Sequence, residues 1–229
     1  MITMVAFDMA GTTINDHGSV YEALQAAVEE TGASVTARDL QLWMGTDKVE
    51  AITALMSLGG VNPTPDSVSH AFTRFRGILA NSYRDRVPVP IAGVEDALRS
   101  LRMRGIKVAL TTGFSADIAL PILAALGWSC GPGAGDLLDA VVTSSDVPTG
   151  RPAPYLIHRA MERLDVHDVR QVLAAGDTLV DVRAARNAGA IAVGVLTGKL
   201  SREEFETEPH DYLLDSVVDV LSLPELGPT

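Results

Sequence analysis

Carboxylate and hydroxyl side chains follow three separate apolar runs of the sequence, at the points where buried strands would end. Asp8 follows the first run, Thr112 with Gly113 follows a second, and Asp177 follows a third, with Asp181 shortly after. The carboxyl ends of parallel strands share one edge of a sheet, and ligands bind there. Carboxylates gathered at that edge would repel one another, and a hard divalent cation such as Mg²⁺ is their natural partner. The pattern therefore predicts a crevice that binds Mg²⁺ through Asp8, Asp177 and Asp181.

The turn that follows Asp8 has the residue types of an anion-binding loop. Gly11 allows the backbone to turn tightly and to approach a ligand, and Thr12 and Thr13 offer hydroxyl and backbone N–H groups. Two interpretations fit this stretch alone: a ligand-binding turn, and a strand that ends in a solvated turn. A single acidic residue is likewise more often a helix cap than a ligand. The joint placement of the carboxylates at strand ends favours the ligand-binding interpretation.

Strand and helix patterns alternate through the second half of the chain, and they position these side chains. Strands are predicted at 106–110, 139–143, 171–175 and 191–195, with helices between them. This alternation is typical of a right-handed parallel βαβ sheet. We therefore expect an α/β fold with a doubly wound, Rossmann-like parallel sheet, completed by the first strand and ending with a short strand and a last helix.

Residues 17–88 break this alternation. They contain several helical patterns and no convincing strand, and a proline-marked connector at 87–91 ends them. We therefore expect an α/β core made of 1–16 and 89–229, with an all-helical cap, 17–88, inserted after the first strand. Because the insert leaves the core directly after the Asp8 turn, it is placed to act as a lid.

The composition excludes several classes of function. The 229 residues are 47% hydrophobic, enough for a core, and their net charge of −11 argues against nucleic-acid binding. Cys130 is the only cysteine, which excludes an intrachain disulfide and a zinc site built from several cysteines. No apolar run reaches the roughly 18 residues that span a bilayer, and no signal-peptide pattern opens the sequence. We therefore expect a cytoplasmic protein without a membrane partner.

Taken together, the motifs resemble those of the haloacid dehalogenase superfamily over essentially the whole chain. The matches are Asp8 to the nucleophile of its first motif, Thr112 to the phosphate-binding residue of its second, Arg151 to the basic residue of its third, and Asp177 with Asp181 to its acidic fourth. Each short motif is weak alone, whereas four in this order at strand ends are specific. The helical insert resembles the cap of that superfamily.

The resemblance implies a chemistry and a set of ligands. Asp8 would attack phosphorus and become an aspartyl phosphate, while the second-motif threonine and the third-motif arginine hold the phosphoryl oxygens. Mg²⁺ would be held by the Asp8 carboxylate, the Ala10 carbonyl and Asp177, with Asp181 ordering its shell.

One position departs from most phosphatases of the superfamily. These enzymes carry a second Asp two residues after the nucleophile, which protonates the leaving group and then activates water. Here that residue is Ala10. Loss of a positioned general acid typically costs about 10²–10⁴-fold in rate. A protein with this sequence would therefore hydrolyse ordinary phosphate monoesters slowly.

Two stretches instead resemble the phosphonoacetaldehyde hydrolase (phosphonatase) family. They are Asp8-Met9-Ala10-Gly11-Thr12-Thr13 and Asp146-Val147-Pro148-Thr149-Gly150-Arg151-Pro152, in which Arg151 stands where many other members of the superfamily have lysine. That family uses a cap lysine, which forms a Schiff base with the substrate aldehyde so that carbon leaves phosphorus as an enamine. Lys48 lies at the matching place, in Met44-Gly45-Thr46-Asp47-Lys48. A lone lysine on a helix is otherwise usually a solvated surface residue.

The same resemblance implies substrate contacts from Thr12, Met44, Gly45 and Gly113. It also requires Lys48 to be a free amine near neutral pH, which burial under a closed lid favours.

Two positions depart from the phosphonatase pattern on the aldehyde side of the substrate. Ala51 stands where that family has a histidine three residues after the lysine, and Phe114 stands where it has a tyrosine after the Thr-Gly pair. The reaction class is therefore better defined than the substrate. His17 offers a replacement proton shuttle in one interpretation and is a surface loop residue in the other.

We therefore predict a Mg²⁺-dependent hydrolase that cleaves the carbon–phosphorus bond of phosphonoacetaldehyde or a related small phosphonate. The alternative is a phosphoglycolate phosphatase-like enzyme that acts on a small phosphate ester, with Lys48 only binding the substrate. A non-catalytic binding or regulatory protein that keeps the fold is a third interpretation, and the intact set of Asp8, Thr112, Arg151 and Asp177 argues against it. The resemblance also suggests a homodimer formed through the cap.

Overall fold

The computed structural model describes residues 1–227 and divides the chain into two compact units. One unit consists of Met1–Asn15 together with the chain from Pro90 onward, and the other consists of Asp16–Val89. The strands are β1 (Met4–Phe7), β2 (Ile14–Asn15), β3 (Val89–Pro90), β4 (Lys107–Thr111), β5 (Ala140–Val142), β6 (Val172–Gly176), β7 (Ile191–Val195) and β8 (Tyr212–Leu214). The α-helices are α1 (Ser19–Glu29), α2 (Ala37–Leu42), α3 (Lys48–Leu58), α4 (Pro65–Asp85), α5 (Val94–Met103), α6 (Ala116–Ala125), α7 (Tyr155–Arg163), α8 (Leu179–Ala188) and α9 (Arg202–Phe205).

The first unit is built on a six-stranded sheet with the order β5-β4-β1-β6-β7-β8, and every neighbouring pair is parallel. Each residue of β1 is buried, as expected for a strand of a parallel sheet that is covered on both faces. Met4 and Ala6 join Leu156 and Ala185, from α7 and α8, in one apolar cluster. The α/β class predicted from the alternating pattern is confirmed, and the first strand of the chain lies in the middle of the sheet.

The end of the first unit differs from the prediction of a last helix. The chain there forms two short 3₁₀ turns, Val217–Ser222 and Pro224–Leu226. Leu223 between them has an extended backbone with ψ of 137°, and Pro224 has no N–H to continue a helix. The short strands β2 and β3, which pair with each other, and the four-residue helix α9 have no counterpart among the predicted elements.

The second unit contains the helices α1 to α4, each fixed at its start by a local hydrogen bond. Thr64 and Ser67 form a capping box before α4, with Pro65 in the first turn. Just before α1, the carboxylate of Asp16 accepts from the backbone N–H groups of Gly18 and Val20. Within the described residues, no helix combines the length and the apolar composition that crossing a bilayer requires.

Candidate active site

The polar strand ends of the first unit meet because β1 lies between β4 and β6. Phe7 is level with Leu110 on one side and with Ala175 on the other. Asp8 follows directly, and its backbone N–H donates to the carbonyl of Ala175 at 2.9 Å. The carboxyl ends of the three central strands therefore reach one edge of the sheet together, with Asp8 in the middle.

Arg151 ties two of the predicted acidic residues together. Its Nη1 lies 2.6 Å from Oδ1 of Asp8 and 2.8 Å from Oδ1 of Asp181. All three side chains are buried, so these charges interact with little screening by solvent. The guanidinium therefore holds the Asp8 carboxylate in one orientation and offsets part of its charge.

Thr111 holds the other arm of the same guanidinium, and the sequence analysis did not single it out for a role of its own. Nη2 of Arg151 donates to the carbonyl oxygen of Thr111 at 2.8 Å and to its Oγ1 at 2.9 Å. A threonine that ends a buried strand is typical β-sheet composition. One feature of the sequence could have indicated a role for Thr111. A valine or isoleucine would fill a buried strand position without a polar group, whereas the buried hydroxyl of a threonine needs a hydrogen-bond partner.

Asp177 and Asp181, the predicted acidic pair, have different partners. Oδ1 of Asp177 accepts from the hydroxyl of Thr12 at 3.0 Å. Asp181 forms a capping box with Thr178 at the start of α8, where its Oδ2 accepts from the Thr178 backbone N–H at 3.1 Å and from the Thr178 hydroxyl. Thr12, predicted as a substrate residue, thus orients Asp177 through its hydroxyl.

The predicted phosphate-binding pair of the second motif lies at the end of β4. Thr112 is buried, its backbone N–H donates to the carbonyl of Val142 at 3.0 Å, and its Oγ1 accepts from the N–H of Phe114 at 3.1 Å. Gly113 between them is buried as well. These bonds fix a tight turn at the same edge of the sheet as Asp8.

Burial and mutual repulsion raise the pKa of two carboxyls in the cluster. Burial is the largest cause for Asp8, whose pKa rises to about 6; Arg151 opposes the rise and the charge of Asp181 adds to it. The pKa of Asp177 is raised well above its usual value, by burial first and then by the charges of Asp8 and Asp181. Perturbed carboxyls gathered at a strand edge are typical of active sites.

The donor set of this cluster fits Mg²⁺. Carboxylate oxygens of Asp8 and Asp177 and the carbonyl oxygen of Ala10 are the hard ligands that this ion prefers, and a cation would offset the repulsion that raises the two pKa values. Among residues 1–227, no three histidine, cysteine or acidic side chains form a ready metal cage. The groups that fit Mg²⁺ are therefore the carboxylates of Asp8 and Asp177 and the backbone carbonyl of Ala10. Asp181 lies close to the two carboxylates.

The second unit carries the predicted lysine at the head of α3. Lys48 is only 3% exposed, and its Nζ donates to the carbonyl of Thr46 at 3.1 Å. Asp47 caps the helix, because its Oδ1 accepts from the N–H groups of Val49 and Glu50 at 2.9 and 3.1 Å. Lys48 is thus not the solvated surface residue of the alternative interpretation.

The neighbouring residues of the second unit form the turn that leads into α3. Met44 is buried, and Gly45 has a φ of 78°, a left-handed conformation that favours glycine. Of the positions that depart from the phosphonatase pattern, Ala51 lies fully buried in this unit and Phe114 is buried in the other. His17 is exposed, and its Nε2 lies 3.3 Å from the carbonyl of Val87.

Comparisons of the sequence and of the structure with known proteins both find similarity to hydrolases. Residues 2–189 match the model of the haloacid dehalogenase-like hydrolases. The phosphonoacetaldehyde hydrolase of Parabacteroides distasonis is 33% identical over 228 residues, which cover 91% of this chain and 83% of that protein. A hydrolase from Pseudomonas syringae has a similar structure, with a TM-score of 0.85 at 20% identity over 99% of this chain and all of that one. A phosphonoacetaldehyde hydrolase-like protein from Oleispira antarctica has a TM-score of 0.79 at 24% identity, over 96% of this chain and 90% of that one.

Proposed function

The chain belongs to the haloacid dehalogenase-like hydrolases and to their phosphonatase-like group, and on this basis we propose that it hydrolyses the carbon–phosphorus bond of phosphonoacetaldehyde or a related small phosphonate. One observation carries the proposal. Asp8 is buried and has Ala10, which carries no acid, two residues further along the chain, while Lys48 is buried at the start of a helix in the second unit. A phosphate ester needs the missing acid, whereas an aldehyde-bearing phosphonate needs the lysine.

Lys48 prepares the substrate for cleavage. Its amine adds to the aldehyde carbon, and loss of water gives a protonated imine that can accept the electron pair of the carbon–phosphorus bond. The buried position of Lys48 supports this role, because desolvation disfavours an ammonium ion relative to the neutral amine that attacks an aldehyde.

Asp8 then attacks phosphorus. One carboxylate oxygen forms the new bond to phosphorus, the carbon–phosphorus pair moves into the imine to give an enamine, and an aspartyl phosphate remains. Arg151 supports this step because it already holds the Asp8 carboxylate in place at 2.6 Å. Together with Thr112 it would also bind the phosphoryl oxygens and offset their developing charge.

Hydrolysis completes the cycle. Water attacks the aspartyl phosphate and releases phosphate from Asp8, while the enamine takes up a proton and the resulting imine is hydrolysed to free Lys48. Mg²⁺, held by Asp8, the Ala10 carbonyl and Asp177, with Asp181 ordering its shell, would neutralise phosphoryl charge throughout. Thr12 would keep Asp177 oriented through its hydroxyl, and Met44, Gly45 and Gly113 would shape the substrate contacts.

Borohydride trapping tests the proposal. The protein is incubated with phosphonoacetaldehyde and sodium borohydride, and the modified peptide is identified by mass spectrometry. We expect a reduced adduct on Lys48 and loss of phosphate release, with no adduct in the Lys48→Arg variant. Absence of an adduct in the native protein, together with rapid turnover of small phosphate esters, would favour the phosphatase alternative.

The homodimer that the resemblance suggests is tested separately, by sedimentation analysis of the untreated protein.

A further inference from the structure

The loop after β7 reaches across the end of β6 and contacts the turn that follows β1. In the sheet order β6 separates these two strands, yet the hydroxyl of Thr197 donates to the carbonyl oxygen of Gly11 at 2.6 Å. Gly11 itself has a φ of 89°. A side chain from the β7 loop therefore fixes the turn that carries Ala10.

Gly198, the next residue of this loop, lies against Asp177. A Cβ at position 198 would lie 2.1 Å from Oδ2 and 2.7 Å from Cβ of Asp177, closer than non-bonded atoms approach. A Cβ at Gly11 would likewise lie 2.3 Å from the same Oδ2. The Asp177 carboxylate is therefore packed closely against the backbones of two glycines, with Thr12 as its hydrogen-bond donor.

We propose that Thr197 and Gly198 are positioning residues for the metal ligands, with Thr197 fixing the Ala10 carbonyl and Gly198 fixing the Asp177 carboxylate. This inference rests on the proposed Mg²⁺ site. The peptide that joins Ala10 to Gly11 is held from one side, where the Gly11 N–H donates to the carbonyl of Ile14 at 2.8 Å. The following peptide, which joins Gly11 to Thr12, is held by Thr197, whose hydroxyl donates to the carbonyl oxygen of Gly11. Hydrogen bonds therefore fix the peptides on both sides of the Gly11 Cα.

The chemistry of Mg²⁺ explains why such positioning matters. This ion requires near-ideal octahedral geometry with short bonds to oxygen, so small displacements of a ligand reduce affinity. Residues that orient the ligands of a metal typically change its affinity by about 10–100-fold when they are altered. At position 198 even a methyl group would move either the loop or the Asp177 side chain, because the clash extends to the Asp177 Cβ.

Isothermal titration of the metal-free full-length protein with MgCl₂ tests the inference. We expect Gly198→Ala to weaken Mg²⁺ binding by about 10–100-fold. The matched control is Gly135→Ala, because a Cβ at this exposed loop glycine would meet nothing within 4 Å. We expect the control to bind Mg²⁺ as the native protein does. Thermal unfolding in EDTA, followed by circular dichroism, reports separately whether each variant folds.

A second pair of variants keeps the test decisive if Gly198→Ala does not fold. We expect Thr197→Val, which removes the hydrogen bond to Gly11, to weaken Mg²⁺ binding by about 10-fold, and Thr197→Ser to restore it. Native-like Mg²⁺ affinity in a folded Gly198→Ala protein, or in Thr197→Val, would overturn the inference. Failure of the native protein to bind Mg²⁺ would overturn the proposed metal site and this inference with it, whereas trapping at Lys48 would still report on the carbon–phosphorus chemistry.

Discussion

Arg151 and Asp8, separated by 143 positions in the sequence, form a buried ion pair in which Nη1 lies 2.6 Å from Oδ1. Removing one member of such a pair leaves an uncompensated buried charge, which costs about 3–5 kcal/mol. The pair therefore links the stability of the first unit to the orientation of Asp8, the proposed nucleophile.

Arg151→Lys keeps the positive charge and removes the planar fork. Arg151 contacts Asp8 and Asp181 through Nη1 and Thr111 through Nη2, and the single nitrogen of a lysine ammonium cannot reproduce this arrangement. We expect phosphate release to fall by about 100-fold or more while the protein stays folded, measured by steady-state kinetics and circular dichroism. Activity within a few-fold of the native protein would show that the charge alone suffices.

Thr111→Val removes one hydrogen bond to the same guanidinium. The change keeps the shape of the side chain, and the loss of a bond to a charged group costs about 1.5–3 kcal/mol. Because Thr111 acts through Arg151, we expect kcat to fall by about 10-fold with little change in KM. Thr111→Ser restores the hydroxyl and should recover most of the rate. Equal losses in the valine and serine variants would contradict this role.

Ala10→Asp restores the acid that most phosphatases of the family carry. A carboxyl two residues after Asp8 can protonate an alkoxide leaving group, an effect worth about 10²–10⁴-fold. We expect hydrolysis of an alkyl phosphate monoester to rise within that range. Ala10→Asn is the matched control, since it has similar size without an acidic proton and should leave ester hydrolysis unchanged. A rise in both variants would point to shape rather than proton transfer.

Lys48→Arg should abolish carbon–phosphorus cleavage, because a guanidinium cannot form the imine. The expected loss is at least about 10³-fold in phosphate release from phosphonoacetaldehyde. The control is Lys107→Arg, which alters a lysine at the start of β4, at the opposite end of that strand from Thr111. A substantial rate in Lys48→Arg would favour the interpretation in which this lysine only grips the substrate.

The raised carboxyl pKa values predict how the stability of the metal-free protein depends on pH. The pKa of Asp8 rises from 3.8 to about 6, and that of Asp177 is also raised. The folded protein therefore holds protons that the unfolded chain has released, and stability is gained as the pH falls and lost as it rises through about 6. The carboxyls of Asp146 and Asp168, whose pKa values are lowered, titrate below this window.

Urea unfolding in EDTA at pH 5, 6 and 7 measures this effect. We expect the free energy of unfolding to be higher at pH 5 than at pH 7 by on the order of 1 kcal/mol. Saturating Mg²⁺ should weaken or reverse the trend, because the metal binds the ionised carboxylates. Asp8→Asn in EDTA should have a smaller pH dependence than the native protein. Lower stability at pH 5 in the native metal-free protein would contradict the assignment.

The alternating pattern of the sequence was sufficient to predict the class of the fold and the edge of the sheet at which Asp8 and the ends of β4 and β6 meet. The strand Ile191–Val195 has the predicted bounds, because its apolar pattern is local. The terminal 3₁₀ turns were predicted wrongly as a helix. Apolar spacing alone does not report the extended backbone at Leu223 that interrupts them.

Contacts that depend on tertiary structure could not be read in the same way. The motifs indicated Asp8, Arg151 and Asp177 as site residues, yet the bond from Arg151 to Thr111 joins residues 40 positions apart. Thr197 and Gly198 are ordinary loop residues in the sequence. Their proximity to the Asp8 turn follows only from the way in which the β7 loop passes over β6.

The central place of β1 also has a consequence for synthesis on the ribosome. Its partners begin at Lys107 and Val172, so β1 has no partner on either side until β4 has been made, and it lacks its second partner until β6 follows. Such long-range pairing slows folding, and an unpaired apolar strand is prone to aggregation. The helices of Asp16–Val89 need only their own segment. We therefore expect the helical unit to fold on the nascent chain ahead of the sheet, with β1 a candidate for chaperone binding in the interval.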